Sequence, residues 1–280
     1  MEILYKNEQP FMEFSEAINH GNTRMDASHF HSTYEIYYLQ KGYCDYFIEN
    51  KLYHVEAGDV VLIHKHLLHK THYPKAMDTK RLLVNFDDKY IATQHSEDIQ
   101  WLLACFKRDN PIIRFHQQDN KHKLMQLFSE LVILSTRQPD GYRFQLETCF
   151  HQLLILISKG HKDDYISPKH PSDIEKKMLD IAQYIHSHYI NDIRLAELAK
   201  TFFISPHYLS HKFKAVTGFS ITDYIHSIRI KRTQELLINT NKKIIDISQA
   251  CGFGSVSQFQ RVFHKYCHMT PRQFRKINSR

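Results

Sequence analysis

The sequence predicts an α+β protein: a β-rich barrel or sandwich with appended helices, then an all-helical domain. Three observations carry this. Aromatic and β-branched residues cluster in short runs over residues 1–110 and are broken by Gly or Asn-Lys. After Pro111 the apolar residues move to helical spacing. The last hundred residues contain an internal repeat with a period of about fifty.

The 280-residue chain is long enough to bury two cores. Hydrophobic residues make up 42%, too many for a disordered chain. The net charge of +7 is unevenly spread: residues 171–280 hold 17 Lys/Arg against 8 Asp/Glu, a net of +9, and the rest hold 20 against 22, a net of −2. A basic domain beside a near-neutral one fits a polyanion binder. Five scattered cysteines with no C-x-x-C pair argue for a reducing compartment. The start, MEILYKNEQP, lacks a basic-then-apolar leader, and the longest apolar run, Leu153 to Ile157, is too short to span a bilayer. A soluble cytoplasmic protein without a membrane partner is expected.

The strands come first. "YEIYYLQKG" (34–42) and "YCDYFIENKLYHV" (43–55) read as strands, "AGDVVLIH" (57–64) as a turn and a short buried strand, and "RLLVNF" (81–86) as another. Many short strands between turns suggest a small barrel or sandwich. Helices follow. "NKHKLMQLFSELVILSTR" (120–137) carries apolar residues at 124, 127, 128, 131 and 134, and "GYRFQLETCFHQLLILISK" (141–159) supplies a second helix after Pro-Asp-Gly. This pair is the candidate homodimer surface. "GHKDDYISPKHPSD" (160–173) has charge, prolines and no period, so it reads as a linker. Ser172 or Asp173 is placed to cap a helix carrying Ile174, Met178, Ile181, Ile185 and Tyr189 on one face. The expected division is 1–110 sensor domain, 111–160 helical dimerisation segment, 161–172 linker and 173–280 helical domain.

The repeat lies in that last domain. Leu209 and Phe213 match Phe259 and Phe263, fifty positions on. A polar stripe repeats with the same offset: His207, Ser210, His211 and Lys214 match Ser257, Gln260, Arg261 and His264. Upstream, Leu195, Leu198 and Ala199 match Ile244, Ile247 and Ser248 at an offset of forty-nine, and the difference falls in the turn, "FFIS" against "CGFGS". Each copy is helix, short turn, helix, at about 194–216 and 243–266. Ser205 and Ser255 are good N-caps, and Gly252 suits a turn that needs positive φ. In a helix-turn-helix unit the second helix enters the major groove of double-stranded DNA. Its docking face must lack bulk and carry donors and acceptors, as this stripe does. The stretch "ITDYIHSIRIKRTQELLI" between the copies reads as a helix fixing their spacing.

Residues 172–280 resemble the DNA-binding domain of the AraC/XylS transcription regulators, on "SPHYLSHKFKAVTG", "RIKRTQELL", "IIDISQACGFGSVSQFQRVFHKY" and "MTPRQFRK". The resemblance implies base contacts from His207, Ser210 and His211, then Val256, Ser257, Gln260 and Arg261. It also implies RNA polymerase as a partner. His211 stands where the family often has Arg, His268 where a Gly is usual before Thr-Pro, and Thr233 and Ser248 replace common alanines.

The amino-terminal half resembles a cupin-like sensor domain. "HFHSTYEIYYLQKG" places His29, His31, Glu35 and Gly42 at H-x-H-x3-E-x6-G spacing, and "GDVVLIHKHLLH" places His69 eleven residues after Gly58. The second motif lacks its Pro and Gly, replaced by His64 and His66. His29, His31, Glu35 and His69 are therefore the candidate effector site. They could hold a divalent metal, but a small organic effector such as a sugar is the preferred reading, with no cofactor required. A regulator, not an enzyme, is expected: the chain has no Gly-rich phosphate loop and no G-x-S-x-G. The competing functions are a metal-dependent cupin enzyme and a nonspecific nucleic-acid binder.

Overall fold

The computed structural model describes residues 2–8, 12–20, 33–65, 67–74, 77–87, 91 and 96–278. Among the described residues nine strands precede the helical domain: β1 (Glu2–Glu8), β2 (Met12–His20), β3 (Tyr34–Lys41), β4 (Tyr43–Ile48), β5 (Lys51–Glu56), β6 (Val60–Ile63), β7 (His69–His72), β8 (Asp78–Phe86) and β9 (Ile112–Ile113). They form a six-stranded sheet, β1-β2-β8-β3-β6-β9, and a three-stranded sheet, β5-β4-β7. Period-2 alternation sorts the side chains. Ile36 and Tyr38 of β3 join one cluster with Val60, Leu62, Leu82, Val84 and Phe86, whereas Tyr37 and Leu39 pack with Cys44, Tyr46, Tyr53 and Val55 of the smaller sheet.

Of the expected barrel or sandwich, the described residues form an open sandwich. Gly42 lies where the chain crosses from one sheet to the other. It turns the chain at φ +82°, where a Cβ would lie 2.8 Å from Thr79 Cγ2 and 2.9 Å from Asp78 O, and β4 leaves the sheet that holds β3.

The outer face of the large sheet is covered by α1 (Ser96–Ala104), α2 (Gln118–Arg137) and α3 (Tyr142–Ser158). The apolar stripe of α2 at 124, 127, 128, 131 and 134 is buried, and Phe128 stacks on Tyr38 with ring centroids 4.3 Å apart. Met125, Ile133, Phe144 and Ile155 on the outer faces of α2 and α3 stay exposed.

The segment read as a linker is held to the sandwich. The backbone N–H groups of Ile166 and Lys169 donate to Ile112 O and Leu52 O. Lys169 Nζ bridges Asp45 at 2.9 Å and Glu175 at 3.0 Å.

Seven helices follow: α4 (Asp173–His188), α5 (Leu195–Thr201), α6 (Pro206–Thr217), α7 (Ile221–Asn239), α8 (Ile244–Ala250), α9 (Val256–Cys267) and α10 (Pro271–Asn278). Ser172 caps α4 in a capping box with Glu175. There are two cores, and α7 serves both. Ile221, Tyr224, Ile225 and Ile228 belong to the first, Ile230 and Leu237 to the second. A helix buried on opposite sides has no single apolar stripe, and it holds the two units at a fixed distance. Arg229, buried at the joint, donates from Nε to Tyr189 O and from Nη2 to Asn191 O, so it satisfies carbonyls past the end of α4 while lying over the Phe253 ring of the second unit.

The first unit also docks on the three-stranded sheet. Phe47, Leu52 and Leu68 enter its core. At the β4–β5 turn, Asn50 Nδ2 donates to Gln183 Oε1, and the Tyr224 hydroxyl donates to Asn50 Oδ1. Glu49 pairs with Lys231 at 2.9 Å, and Lys70 Nζ donates to Gly218 O. Among the described residues no helix is long and apolar enough to cross a membrane. None of the five cysteines forms a disulfide.

Candidate nucleic-acid interface

Both second helices begin on a serine cap. Ser205 Oγ accepts from Tyr208 N at 3.2 Å, and Ser255 Oγ accepts from Gln258 N at 3.2 Å. Such a cap satisfies one orphan N–H and leaves the first turn open to a ligand. The buried stripes are Leu209 and Phe213 on α6, and Phe259, Val262, Phe263 and Tyr266 on α9. Opposite them, His207, Ser210, His211 and Lys214 are exposed, as are Ser257, Gln260, Arg261 and His264. Val256 is half-buried.

The repeat extends to the backbone. Phe203 N donates to Lys200 O and Ile204 N to Ala199 O in the first turn; Gly252 N donates to Gln249 O and Phe253 N to Ser248 O in the second. Both turns pass through the left-handed region, at Phe203 (φ +54°) and Gly252 (φ +82°). Phe203 carries the strain of that conformation near the left-handed helical minimum, with its ring 92% exposed. α6 and α9 end alike too, at Gly218 (φ +79°) and at His268 (φ +53°). His268 therefore takes the backbone conformation that a glycine would otherwise supply, so its departure from the family pattern leaves the turn intact.

In the other half, Glu35 and His69 are almost fully buried between the sheets. His69 Nε2 lies 3.7 Å from Glu35 Oε1, which also accepts from the Tyr46 hydroxyl at 3.2 Å, and His69 Nδ1 donates to Leu67 O. His29 and His31 lie outside the described residues. Among the described residues no three metal-ligating side chains converge, and of the four candidate ligands only Glu35 and His69 are described.

The same interior holds groups that no motif flagged. Tyr37 and Tyr73 hydroxyls lie 3.3 Å apart. Burial pushes the Tyr37 and Tyr46 hydroxyls well above the usual range and Tyr73 up to about 12, so all three keep their protons. Asn19 and Thr79 face each other across the β2–β8 register, buried, and neither side chain has a hydrogen-bond partner among the described residues. Period 2 puts both on the inner face, but nothing in the sequence tells an orphaned polar group from a satisfied one. An unpaired buried hydroxyl costs about 1–3 kcal/mol. Thr79→Val, which keeps the shape, should therefore raise the thermal midpoint by a few degrees. A fall in the midpoint would show the hydroxyl to be satisfied.

A β-sandwich is thus joined to a helical domain that carries two helix-turn-helix units with solvent-facing polar stripes. Comparison with known proteins agrees. The AraC-like ligand binding domain model matches residues 13–154, and a helix-turn-helix domain model matches residues 198–277. The chain belongs to the AraC family. An uncharacterized HTH-type transcriptional regulator of Staphylococcus aureus is 25% identical over 247 residues, 85% of this chain and 31% of the relative. The chain thus spans about a third of the length of the first curated relatives it matches. The uncharacterized HTH-type transcriptional regulator YdiP of Escherichia coli is 27% identical over 250 residues, covering 86% of this chain and 78% of the relative. Among solved structures, the C-terminal domain of AraT, a response regulator from Geobacillus stearothermophilus, is 28% identical with a TM-score of 0.37, covering 40% of this chain and 91% of that one.

Proposed function

We propose that the protein is a sequence-specific DNA-binding transcription regulator whose output is set by a small-molecule effector in the amino-terminal sandwich. The observation that carries this is the duplicated unit, with each second helix holding its core by one stripe and presenting the other to solvent. His207, Ser210, His211 and Lys214 in the first unit, and Val256, Ser257, Gln260 and Arg261 in the second, are the groups offered to the duplex. With both helices on one face they would enter successive major grooves about 10 bp apart.

Selection of bound duplexes from a random pool by the 280-residue chain tests the reading. A single recurring sequence with two half-sites is the expected result. An unselected pool bound with a steep salt dependence is the outcome of a nonspecific binder. Arg261→Ala should cost about 1–3 kcal/mol on the selected site and relax the preference at one position. A uniform loss on all sequences would place Arg261 on phosphate.

The effector reading rests on the buried polar interior. Asn19 and Thr79 present donors and acceptors, and the neutral hydroxyls of Tyr37, Tyr46 and Tyr73 suit a small polyhydroxylated molecule such as a sugar. The ligand would act on DNA binding only through different affinities for different arrangements of the two halves. The docking of Phe47, Asn50 and Lys70 on the first unit gives a direct route for that coupling. Met125, Ile133, Phe144 and Ile155 on α2 and α3 suit a homodimer contact, which would double the DNA footprint. RNA polymerase and a cytoplasmic location follow from the family's role in transcription.

A further inference from the structure

Two imidazoles sit on the first reading stripe where the second unit has a hydroxyl and a guanidinium. His207 and His211 are one turn apart on α6, and both are exposed. Among the described residues neither ring has a hydrogen bond, an ion pair or a ring contact. Their counterparts on α9 are Ser257 and Arg261. α6 and the helices packed on it carry charges of both signs. α6 itself adds Lys212 and Lys214, and the helices packed on it include Glu197 and Lys200 on α5, Lys177 and Asp180 on α4, and Asp223 and His226 on α7. Asp223 is already engaged by Ser220 and Lys265.

Histidine changes charge between pH 5 and 8. Among the described residues no carboxylate pairs with either ring, and imidazolium groups at i, i+4 beside lysines would repel. DNA reverses this balance. Its phosphates favour the charged ring, and a guanine edge in the major groove presents two acceptors, N7 and O6. A neutral imidazole offers one donor and one acceptor, whereas an imidazolium offers two donors.

We propose that His207 and His211 engage DNA as imidazolium groups, so that the first unit binds its half-site with uptake of protons while the second reads through Arg261 at any physiological pH. This makes the pair specificity determinants with a pH condition attached. The inference rests on the DNA-binding reading above. The sign follows from linkage: the complex holds more protons than the free species, so affinity rises as pH falls.

The test uses the full 280-residue chain and a duplex it selects at pH 7, at fixed salt. The expected result is a dissociation constant that tightens about ten- to hundredfold between pH 8 and pH 6, with proton uptake visible calorimetrically in buffers of different ionisation heat. His207→Gln/His211→Gln should remove most of that response. His211→Arg should halve it and tighten binding at pH 8, because Arg stays charged. His122, exposed on α2 and outside both helix-turn-helix units, is the control, and His122→Gln should keep the response. A pH-independent affinity, or a response that survives in the double variant, overturns the proposal. A chain that binds no duplex at either pH overturns the DNA-binding reading instead.

Discussion

Gly252→Ala is expected to cost about 2–4 kcal/mol and to disable the second helix-turn-helix unit, because strain and clash add at one atom. At φ +82° a side chain is disfavoured whatever the space. The added Cβ would also lie 2.5 Å from Ile190 O and 2.8 Å from Ile190 Cα. Those are backbone atoms just past the end of α4 and cannot swing away. Relief must come from the turn itself, and Phe253, which that turn seats in the second core, would move with it. The expected measurement is a lowered thermal transition with loss of affinity for the selected duplex. Phe203→Ala is the internal control. The residue has the same sign of φ in the matching turn but points into solvent, so the change should stay within about 0.5 kcal/mol. Equal melting of Gly252→Ala and the parent protein would refute this account of the turn.

Asp59→Ala should cost about 2–4 kcal/mol while leaving DNA affinity below the melting transition unchanged. Asp59 is fully buried and accepts three hydrogen bonds: from Arg114 Nε and Nη2, each at 2.7 Å, and from Glu56 N at 2.8 Å. This fork fixes the β5–β6 turn to the chain just beyond β9. Arg114 N in turn donates to Asp164 O, and Asp164 Oδ1 accepts from His116 N. Removing the carboxylate breaks the centre of this chain. The loss stays below that of a fully enclosed pair because Arg114 is a third exposed and keeps Glu56 at 3.0 Å. Asp59→Ala/Arg114→Met should recover part of the loss, since no charge is then left without its partner. A double variant worse than the single one would mean that packing, not charge, dominates there.

Much of the helix-turn-helix architecture was legible in the sequence because its signals are local. Leu209, Phe213, Phe259 and Phe263 recur at helical spacing, and their burial follows from period alone. Ser205 and Ser255 announce caps two residues before the stripes begin. The fifty-residue offset separates core from face without knowledge of any contact. The strands around "YEIYYLQKG" and "AGDVVLIH" were legible for the same reason. The orphaned side chains of Asn19 and Thr79 were not, because satisfaction of a polar group depends on what the rest of the chain brings to it.

Though it left out β1, β2, β7, β9 and α1, the sequence by itself determined that a strand-rich half precedes a helical one, the duplicated unit and the identity of its two stripes. Each of these is set by periods, caps and turns within about twenty residues. Only the tertiary structure decided that the sheets stay open, that α7 is buried on opposite sides, that Gly252 lies against Ile190, and that Asn50 and Lys70 bind the first unit to the sandwich. Those contacts join residues 62 to 174 positions apart. Nothing in a local hydrophobic period records which distant partner a side chain will meet.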